Sequence, residues 1–397
     1  HLLQDRDRYV EDEQDEHPEV HPYMDAFNDA LGGNSYGGAY IIKIAREFYD
    51  EDGDKWVDVT AGERDDEFRE RAYQAMLRRI KATCHSVRCD FDVWFSERSL
   101  YLKDESGASQ VDRAFKRLED MGHLYRTDDG ALWFRSTTFG DDKDRVLIKS
   151  NGEYTYFASD VAYHWNKFQR DDFSVDLWGA DHHGYIARVT NVCDALGYPG
   201  KFEVDLGQFV NLLRNGEPVR MSKRKGTMVT FDELIDEVGV DATRYTLISR
   251  SSNQTIDFDI EAVKQKDSAN PVYYVQYAHV RTCNVARNAA EHGVTRDAGF
   301  DPAALDSEAD EALLAALAQF PAQVAQATEL REPHRITRYL ESLAATYHAW
   351  YGQCRVTPRG DDPVEPGHIA RLWLNDAVTQ VLRTGLVLLG VSAPERM

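Results

Sequence analysis

The chain has 397 residues, which is enough for two or three domains of ordinary size. Hydrophobic residues make up 42% of it and no long apolar run occurs, so the composition excludes a disordered chain and a protein built on membrane-spanning helices. Five cysteines give no even-numbered disulfide framework and predict a reducing compartment, for which we expect the cytoplasm.

The formal net charge of −22 is unusual for a nucleic-acid binder, because such proteins usually present a basic surface. Net charge constrains partners only loosely, however, since an acidic body can still carry a local basic track. The charge therefore does not exclude RNA as a partner. Adaptation to a salt-rich cytoplasm would produce the same acidic balance, and that interpretation stays open.

The first part of the chain predicts a linker followed by helices and small strands. Residues 1–35 are acidic and poorly periodic, which favours a linker or a remnant. Apolar residues recur at helical spacing over 40–51, and two or three further helices are expected between 65 and 121, with a break near 89–91. Short apolar runs divided by turn residues predict antiparallel strands within 130–157.

An α/β unit is predicted next. Val175, Leu177 and Trp178 predict a buried strand that ends at Gly179, and a second strand is predicted over 209–213. The helix after the first strand is predicted from apolar residues at helical spacing, namely Ile186, Val189, Cys193 and Leu196.

Cap signals and periodicity predict that the remainder is helical. Thr230 with Glu233 three residues later is a capping box, and Asp241 is expected to cap another helix. After about residue 268, Asn270 and Pro271 mark the start of a long helix. Three further helices are predicted from the apolar groups Leu313, Leu317 and Phe320, then Ile336, Leu340, Leu343 and Tyr347, then Leu374, Val378 and Val381. Together these helices predict a bundle.

The sharpest functional signal is a basic loop at 220–225, which carries four cations between a predicted strand and a predicted helix. Cations fixed in such a loop can hold the phosphates of ATP and neutralise charge that develops on phosphorus during adenylate formation. The alternative is a solvated basic surface loop, which is the common outcome for a short run rich in Lys and Arg.

A second signal follows the predicted strand, where Gly179, Asp181, His182 and His183 lie close together in sequence. Ligands of open α/β sheets bind beyond the carboxyl ends of the strands, a glycine lets a nucleotide approach the backbone, and an aspartate can accept from ribose hydroxyls. A metal-binding histidine pair and simple turn chemistry are the alternatives.

A third signal is the pair Tyr156 and Asp160, four residues apart. If Asp160 opens the following helix, its carboxylate could bind a guanidinium through two parallel hydrogen bonds. The alternative is a helix-capping aspartate. Cys84, His85 and Cys89 have no second Cys/His pair at suitable spacing, so we expect no metal site and no protein-bound zinc.

Four segments in a fixed order resemble bacterial arginyl-tRNA synthetases. They are 154–164 (YTYFASDVAYH), 178–184 (WGADHHG), 221–226 (MSKRKG) and 270–279 (NPVYYVQYAH). The resemblance extends over about nine-tenths of the chain. It implies an α/β fold, a partial class I Rossmann-type catalytic domain with an α+β insertion, followed by an all-α anticodon-binding helical bundle. By residue, the catalytic part is expected at 36–268, with the insertion at about 60–150, and the bundle at 269–397.

The resemblance also implies site residues. The catalytic loop would comprise Met221, Ser222 and Lys223. The ATP site would comprise Gly179, Asp181, His182, His183 and Lys223. The arginine side chain would be received by Tyr156 and Asp160. The RNA contacts would come from Tyr273, Tyr277, Arg281 and Met397.

The implied activity is that of an arginine–tRNA ligase. ATP with Mg²⁺ would activate L-arginine to arginyl-adenylate, and the arginyl group would then pass to arginine tRNA. The implied partners are therefore tRNA(Arg), L-arginine and ATP, with no membrane. A monomer is expected unless a partner covers an incomplete sheet.

The sequence departs from the family at one point, because none of its 13 histidines forms the His-x-Gly-His signature at the start of the nucleotide fold. Two interpretations remain: a fragment of a longer active enzyme, or a shortened paralogue that binds arginine tRNA or a partner. An unrelated nucleotidyl transferase would not need the tyrosine-rich helical region. If the first strand of the sheet is missing, exposed apolar sheet surface is expected, which a partner or residues 1–34 would cover.

Overall fold

A computed structural model of the chain describes residues 39–219 and 229–397. These residues separate into two units, each with its own internal contacts. The α/β unit comprises 91–210 and 251–256, and the helical unit comprises the described residues of 1–90, 211–250 and 257–397. Within the described ranges, no helix is long and apolar enough to cross a membrane.

The described part of the chain begins with two helices of the helical unit, α1 (Ala39–Asp52) and α2 (Ala61–Ser86). The first confirms the helix predicted over 40–51. Trp56, in the connection, donates its ring N–H to the Asp52 carboxylate at 2.7 Å and packs edge-on against Phe68 at 5.6 Å between ring centroids. These contacts fix the turn between the two helices.

The α/β unit follows. Its elements in chain order are a 3₁₀ helix (Glu97–Leu100), α3 (Gln110–Asp120), β1 (Leu124–Arg126), β2 (Leu132–Phe134), a 3₁₀ helix (Ser136–Phe139), β3 (Arg145–Ile148), α4 (Tyr156–Phe168), β4 (Ser174–Gly179), a 3₁₀ helix (Ala180–Tyr185), α5 (Ile186–Ala195) and β5 (Phe202–Gly207). Strands β1, β2 and β3 form an antiparallel sheet in that order. Strands β2 and β3 confirm the strands predicted around 132–134 and 146–148, whereas β1 lies before the predicted stretch. Tyr156, which the apolar runs place among these strands, instead begins α4.

The core of the α/β unit lies where α3, α4 and α5 pack with the antiparallel sheet. Its fully buried side chains include Leu118, Phe134, Leu147, Val161 and Leu196. Leu196 is one of the four apolar positions that predict α5, and Val189 and Cys193 in that set are also buried. The helical periodicity therefore identified the face of α5 that contacts the core.

Strands β4 and β5 form a parallel pair, with register running from Ser174 opposite Phe202 to Gly179 opposite Gly207. The sequence analysis missed β5, although its apolar and acidic residues alternate as in a half-buried strand. The carboxyl ends of both strands lie side by side and both end in glycine.

The prediction that β4 is buried is wrong. Val175 is 40% exposed and Leu177 is 74% exposed. Among the described residues β4 pairs with a strand on one edge only, and an open groove of about 550 Å³ lies against β4 and is lined in part by Phe91 and Phe173. An apolar run predicts a strand covered on both faces, so the exposed side chains mark a face of β4 that the described residues leave open.

The rest of the helical unit contains a small sheet and a helical bundle. In chain order its elements are β6 (Val210–Arg214), β7 (Glu217–Pro218), α6 (Phe231–Val238), α7 (Val240–Ile248), β8 (Ile256–Asp259), α8 (Ile260–Lys264), α9 (Pro271–Glu291), a 3₁₀ helix (Pro302–Ala304), α10 (Glu308–Ala318), α11 (Phe320–Glu329), α12 (His334–Gln353) and α13 (Pro366–Leu388). The sheet has the order β7, β6, β8.

The cap predictions have mixed outcomes. The capping box of Thr230 and Glu233 is confirmed at the start of α6. Asp241 does not cap α7, whose preceding residue is Gly239. Its carboxylate instead accepts from the backbone and side chain of Ser392 and from Gln276. Local spacing cannot predict these partners, which are more than 30 residues away in sequence.

The bundle core confirms the predicted amphipathic helices, with Leu313, Leu340, Tyr347 and Val378 all fully buried. The helix predicted through Leu313, Leu317 and Phe320 is in fact two, α10 and α11. Pro321 lies in the first turn of α11, where it lacks the N–H needed to continue α10.

Candidate active site

Asp160 lies in the second turn of α4, half-buried within the α/β unit. Burial raises the pKa of its carboxyl group, although the Tyr185 hydroxyl donates to Oδ2 at 2.7 Å and opposes that rise. Among the described residues no basic side chain forms an ion pair with Asp160. The site therefore holds a partly desolvated carboxylate that still lacks a cation.

The helix-capping alternative for Asp160 is wrong, because α4 begins at Tyr156 and its N-cap position is Thr155. Tyr156 is 91% exposed, so the two residues of the predicted pair lie one helical turn apart in different surroundings. The exposed ring is free to contact a ligand that approaches Asp160 along α4.

Tyr185 is a site residue that the sequence did not identify. Its ring packs edge-on against Phe157 at 6.0 Å, and the guanidinium of Arg188 lies 5.2 Å from the ring centroid. Burial, followed by the hydrogen bond to Asp160, raises the pKa of its hydroxyl, which therefore stays a donor. The sequence could have indicated Tyr185 by its position, because it directly follows Gly184 in the segment after the carboxyl end of β4.

A polar cluster supports the helix that carries Asp160. The ring nitrogens of the buried His164 face two acceptors, the Asp160 carbonyl at 2.7 Å and the Asp176 carboxylate at 2.9 Å. Burial alone would raise the pKa of Asp176, but hydrogen bonds from His164 and Lys167 lower it to about 2. The cluster therefore ties α4 to β4.

The carboxyl ends of β4 and β5 supply the second part of the site. A Cβ atom added to Gly179 would lie 2.6 Å from an Asp181 carboxylate oxygen, so the aspartate folds back over a position that only glycine leaves open. Asp181, His182 and His183 are exposed on the 3₁₀ helix that follows. This surface has the location expected for a nucleotide in an open α/β sheet.

The metal alternative gains no geometric support in the described ranges, where no group of three His, Cys, Asp or Glu side chains is placed to hold an ion. His182 Nε2 lies 3.6 Å from an Asp181 carboxylate oxygen, and both side chains are more than 60% exposed. The basic loop with Met221, Ser222 and Lys223 lies outside the described residues.

Three of the predicted RNA contacts form an aromatic stripe on α9, in which Tyr277 is exposed and Tyr273 and Arg281 are half-buried. Tyr273 and Tyr277 stack with ring planes 4° apart and centroids 6.3 Å apart. Arg281, one turn further, donates to the Tyr277 hydroxyl at 2.9 Å. The stripe thus presents two parallel rings and a guanidinium.

The residues just before the predicted RNA contact Met397 are hydrogen-bonded to α9. Met397 is 57% exposed. The preceding residues are held against α9, because the buried His279 ring donates to the Pro394 carbonyl at 2.8 Å and Arg287 donates to the Glu395 carbonyl at 3.0 Å. The terminus and the aromatic stripe therefore share one supporting helix.

The parallel strand pair and the helical bundle fit a class I tRNA synthetase, and two family matches show that class. The family described as the class I (R) tRNA synthetase catalytic domain matches residues 46–286, and the DALR anticodon binding domain matches residues 275–397. The chain belongs to the arginyl-tRNA synthetase family, as the four sequence segments predicted.

Several relatives agree with this assignment. The chain is 51% identical over 370 residues to the arginine–tRNA ligase of Clavibacter sepedonicus and 49% identical over 367 residues to that of Kineococcus radiotolerans. Each match covers 92% of this chain and 65% of the relative. The chain thus spans just under two-thirds of the length of these relatives.

Solved structures agree on the fold. A crystal structure from Campylobacter jejuni described as that of an arginyl-tRNA synthetase is 28% identical, has a TM-score of 0.80, and is matched over 94% of this chain and 80% of that one. The arginyl-tRNA synthetase of Thermus thermophilus is 22% identical, with a TM-score of 0.69 over 90% of this chain and 69% of that one. The second likeness concerns fold alone.

Proposed function

We propose that this chain takes part in arginine–tRNA ligation, supplying the site for the arginine side chain, much of the ATP site and the surface that binds arginine tRNA. The observation that carries the proposal is the half-buried Asp160 carboxylate, which has a raised pKa and no cationic partner among the described residues. A carboxylate in this state favours a ligand that brings a positive charge.

Arginine fits this site better than lysine. A guanidinium is planar and can offer two parallel N–H groups to one carboxylate, whereas an ammonium is a compact point charge. Tyr185 donates to one Asp160 oxygen and so fixes the carboxylate plane, and the exposed Tyr156 ring would lie beside the incoming side chain. A substrate without the guanidinium would leave a buried carboxylate unpaired, which penalises it.

The nucleotide is proposed to be ATP with Mg²⁺, bound at the carboxyl ends of β4 and β5. Gly179 would adjoin the nucleotide, Asp181, which folds back over it, would accept from the ribose hydroxyls, and His182 and His183 would line the same side. Lys223 would neutralise charge that develops on the transferring phosphorus. The arginine carboxylate would attack the α-phosphorus and release pyrophosphate, giving arginyl-adenylate.

The second half-reaction needs tRNA. A hydroxyl of the terminal adenosine would attack the arginyl carbonyl and release AMP, while the helical unit holds the same tRNA elsewhere. Tyr273 and Tyr277 would stack on unpaired bases, Arg281 would contribute charge, and Met397 would add an apolar contact at the terminus. We place this reaction in the cytoplasm, in keeping with the cysteine content, and expect a monomer unless a partner covers β4.

The test is charging of arginine tRNA by the 397-residue chain with arginine, ATP and Mg²⁺, alongside Asp160→Asn and Lys223→Ala. Both variants should lower charging at least about a hundredfold, since each removes charge stabilisation from the site. Asp172→Asn, at an exposed acidic residue of the same unit, is the matched control and should match the wild type.

Binding of arginine tRNA is measured on the same samples. Binding without charging would limit the chain to an arginine-tRNA binding role, as a piece of the enzyme or as a paralogue. If the chain neither charges arginine tRNA nor prefers it to a tRNA for another amino acid, the proposed function is wrong.

A further inference from the structure

Arg281 is held by three side chains on α9 and α12. Its Nη1 atom lies 2.7 Å from His348 Nδ1, and its Nη2 atom donates to the Tyr277 hydroxyl at 2.9 Å. The guanidinium carbon lies 4.8 Å from the centroid of the Tyr277 ring and 5.0 Å from that of Tyr351. Both tyrosine rings are exposed, by 39% and 46%. The guanidinium is thus oriented within an aromatic surface that faces solvent.

His348 is an acceptor in this arrangement. Arginine can only donate, so His348 Nδ1 must accept and the ring proton must lie on Nε2. Burial, followed by the nearby Arg281 charge, lowers the pKa of His348 to about 4, which keeps the ring neutral near pH 7. Nε2 is buried and has no hydrogen-bond partner in the described residues. A buried donor without a partner opposes stability, so packing alone does not account for a histidine here.

The neutrality of His348 distinguishes Arg281 from other arginines of the bundle. Arg371 binds the buried Asp310 carboxylate, and Arg296 binds Asp376. Arg281 forms no ion pair with a carboxylate among the residues that the structure describes. A neutral acceptor fixes the direction of a guanidinium without cancelling its charge, so the charge remains available to an anion or to the π face of a base.

We infer that His348 is a positioning residue for RNA binding: it holds Arg281 against Tyr277 and Tyr351, so that one rigid charged and aromatic surface receives an unpaired nucleotide. Stacking supplies contact with the base, and the uncancelled charge attracts the adjoining phosphate. The inference rests on the proposed function, since it requires that the helical unit binds tRNA. His348 and Tyr351 are additions to the predicted RNA contacts.

The first test is binding of an arginine tRNA transcript to the full chain, compared among His348→Asn, His348→Leu and Arg281→Lys. The Asn side chain keeps an acceptor near the position of Nδ1, and Leu removes it. We expect His348→Leu and Arg281→Lys to weaken binding about fivefold to tenfold, and His348→Asn to stay within about twofold of the wild type. Arg296→Lys, at an arginine paired with Asp376, is the control and should bind normally.

The second test does not use RNA. Nitrogen-15 NMR of the histidine side chains in the wild-type chain at pH 7 should show His348 neutral, with its proton on Nε2. A proton on Nδ1 would overturn the inference whatever the RNA results, because that nitrogen could not then accept from Arg281. This measurement also covers the case in which His348→Leu fails to fold.

The binding outcomes separate the two proposals. If the wild type binds arginine tRNA and His348→Leu binds equally well, the positioning role is wrong and the proposed function stands. If the wild type neither charges arginine tRNA nor prefers it to another tRNA, both are wrong. Loss in His348→Leu with rescue in His348→Asn supports the positioning role, because a general packing defect would not depend on the acceptor.

Discussion

Two aspartates of the α/β unit have pKa values shifted in opposite directions, and their substitution should therefore have opposite effects on stability. The pKa of Asp160 is raised by burial, so the folded chain binds its proton more tightly than the unfolded chain. The stability gained from this proton is present below the ordinary pKa of 3.8 and is lost as pH rises through the raised pKa, so at pH 7 the ionised carboxylate opposes folding. The pKa of Asp176 is lowered to about 2, so its ionised form favours folding above the ordinary value of 3.8, and this contribution is lost as pH falls towards 2.

We expect Asp160→Asn to raise the free energy of unfolding at pH 7, and Asp176→Asn to lower it by about 2 kcal/mol. Urea unfolding at pH 7 measures both. The more stable variant should nevertheless lose arginine binding, which calorimetry would show. A destabilised Asp160→Asn would contradict the account of an unpaired carboxylate.

At the same scale, spacing identified Asp160 and Tyr156 as a pair but could not assign their burial. Asp160 acquires its properties from Tyr185, which is 25 residues away in sequence. Its helix is supported by Asp176, which lies on the following strand. Partners of this kind depend on how α4 packs against its neighbours, which no local pattern encodes.

At the level of elements, the packing of α12 against α13 depends on the absence of a side chain. A Cβ atom added at Gly385 would lie 2.6 Å from Leu340 Cδ2 and 3.1 Å from its Cγ, and Leu340 is fully buried. Gly352, which is also helical, has no atom within 4 Å of the same position. Gly352 therefore serves as a control for Gly385, because both lie in helices of the bundle but only Gly385 is crowded.

We expect Gly385→Ala to lower the free energy of unfolding by about 1–3 kcal/mol, because overpacking outweighs the gain in helix propensity. Gly352→Ala should raise it by about 0.5–1 kcal/mol, since only the propensity changes. Thermal or urea unfolding compares the two. Equal effects from both substitutions would show that Leu340 can move aside at no cost, contrary to the packing described.

The elements that sequence patterns predicted well are those whose signals are local. The Thr230–Glu233 capping box and the apolar faces of α5, α12 and α13 each depend on residues within a few turns of one another. The strand pair was predicted less well. β5 was missed, and the burial assigned to β4 was wrong because it presumed a neighbour that the described residues do not supply.

At the scale of the whole molecule, the chain spans 65% of the length of its Clavibacter and Kineococcus relatives and exposes one side of β4. An unpaired strand edge with exposed apolar side chains invites pairing with another strand. We therefore expect the purified chain to associate as its concentration rises. Light scattering after size-exclusion chromatography measures this association.

Leu177→Lys should reduce the association, because a charge on β4 opposes strand pairing. Leu102→Lys is the matched control, since Leu102 is 66% exposed and Leu177 is 74% exposed, but Leu102 lies outside any strand. A wild-type chain that remains monodisperse at high concentration would count against an uncovered strand.

The anchoring of the last residues gives the end of the chain an unexpected use. Hydrogen bonds from His279 to Pro394 and from Ser392 to Asp241 hold the last residues against the helical unit. A fluorescent dye coupled at residue 397 would be held close to α9, the helix that carries the aromatic stripe. The polarisation of its fluorescence would then report the binding of RNA to that helix.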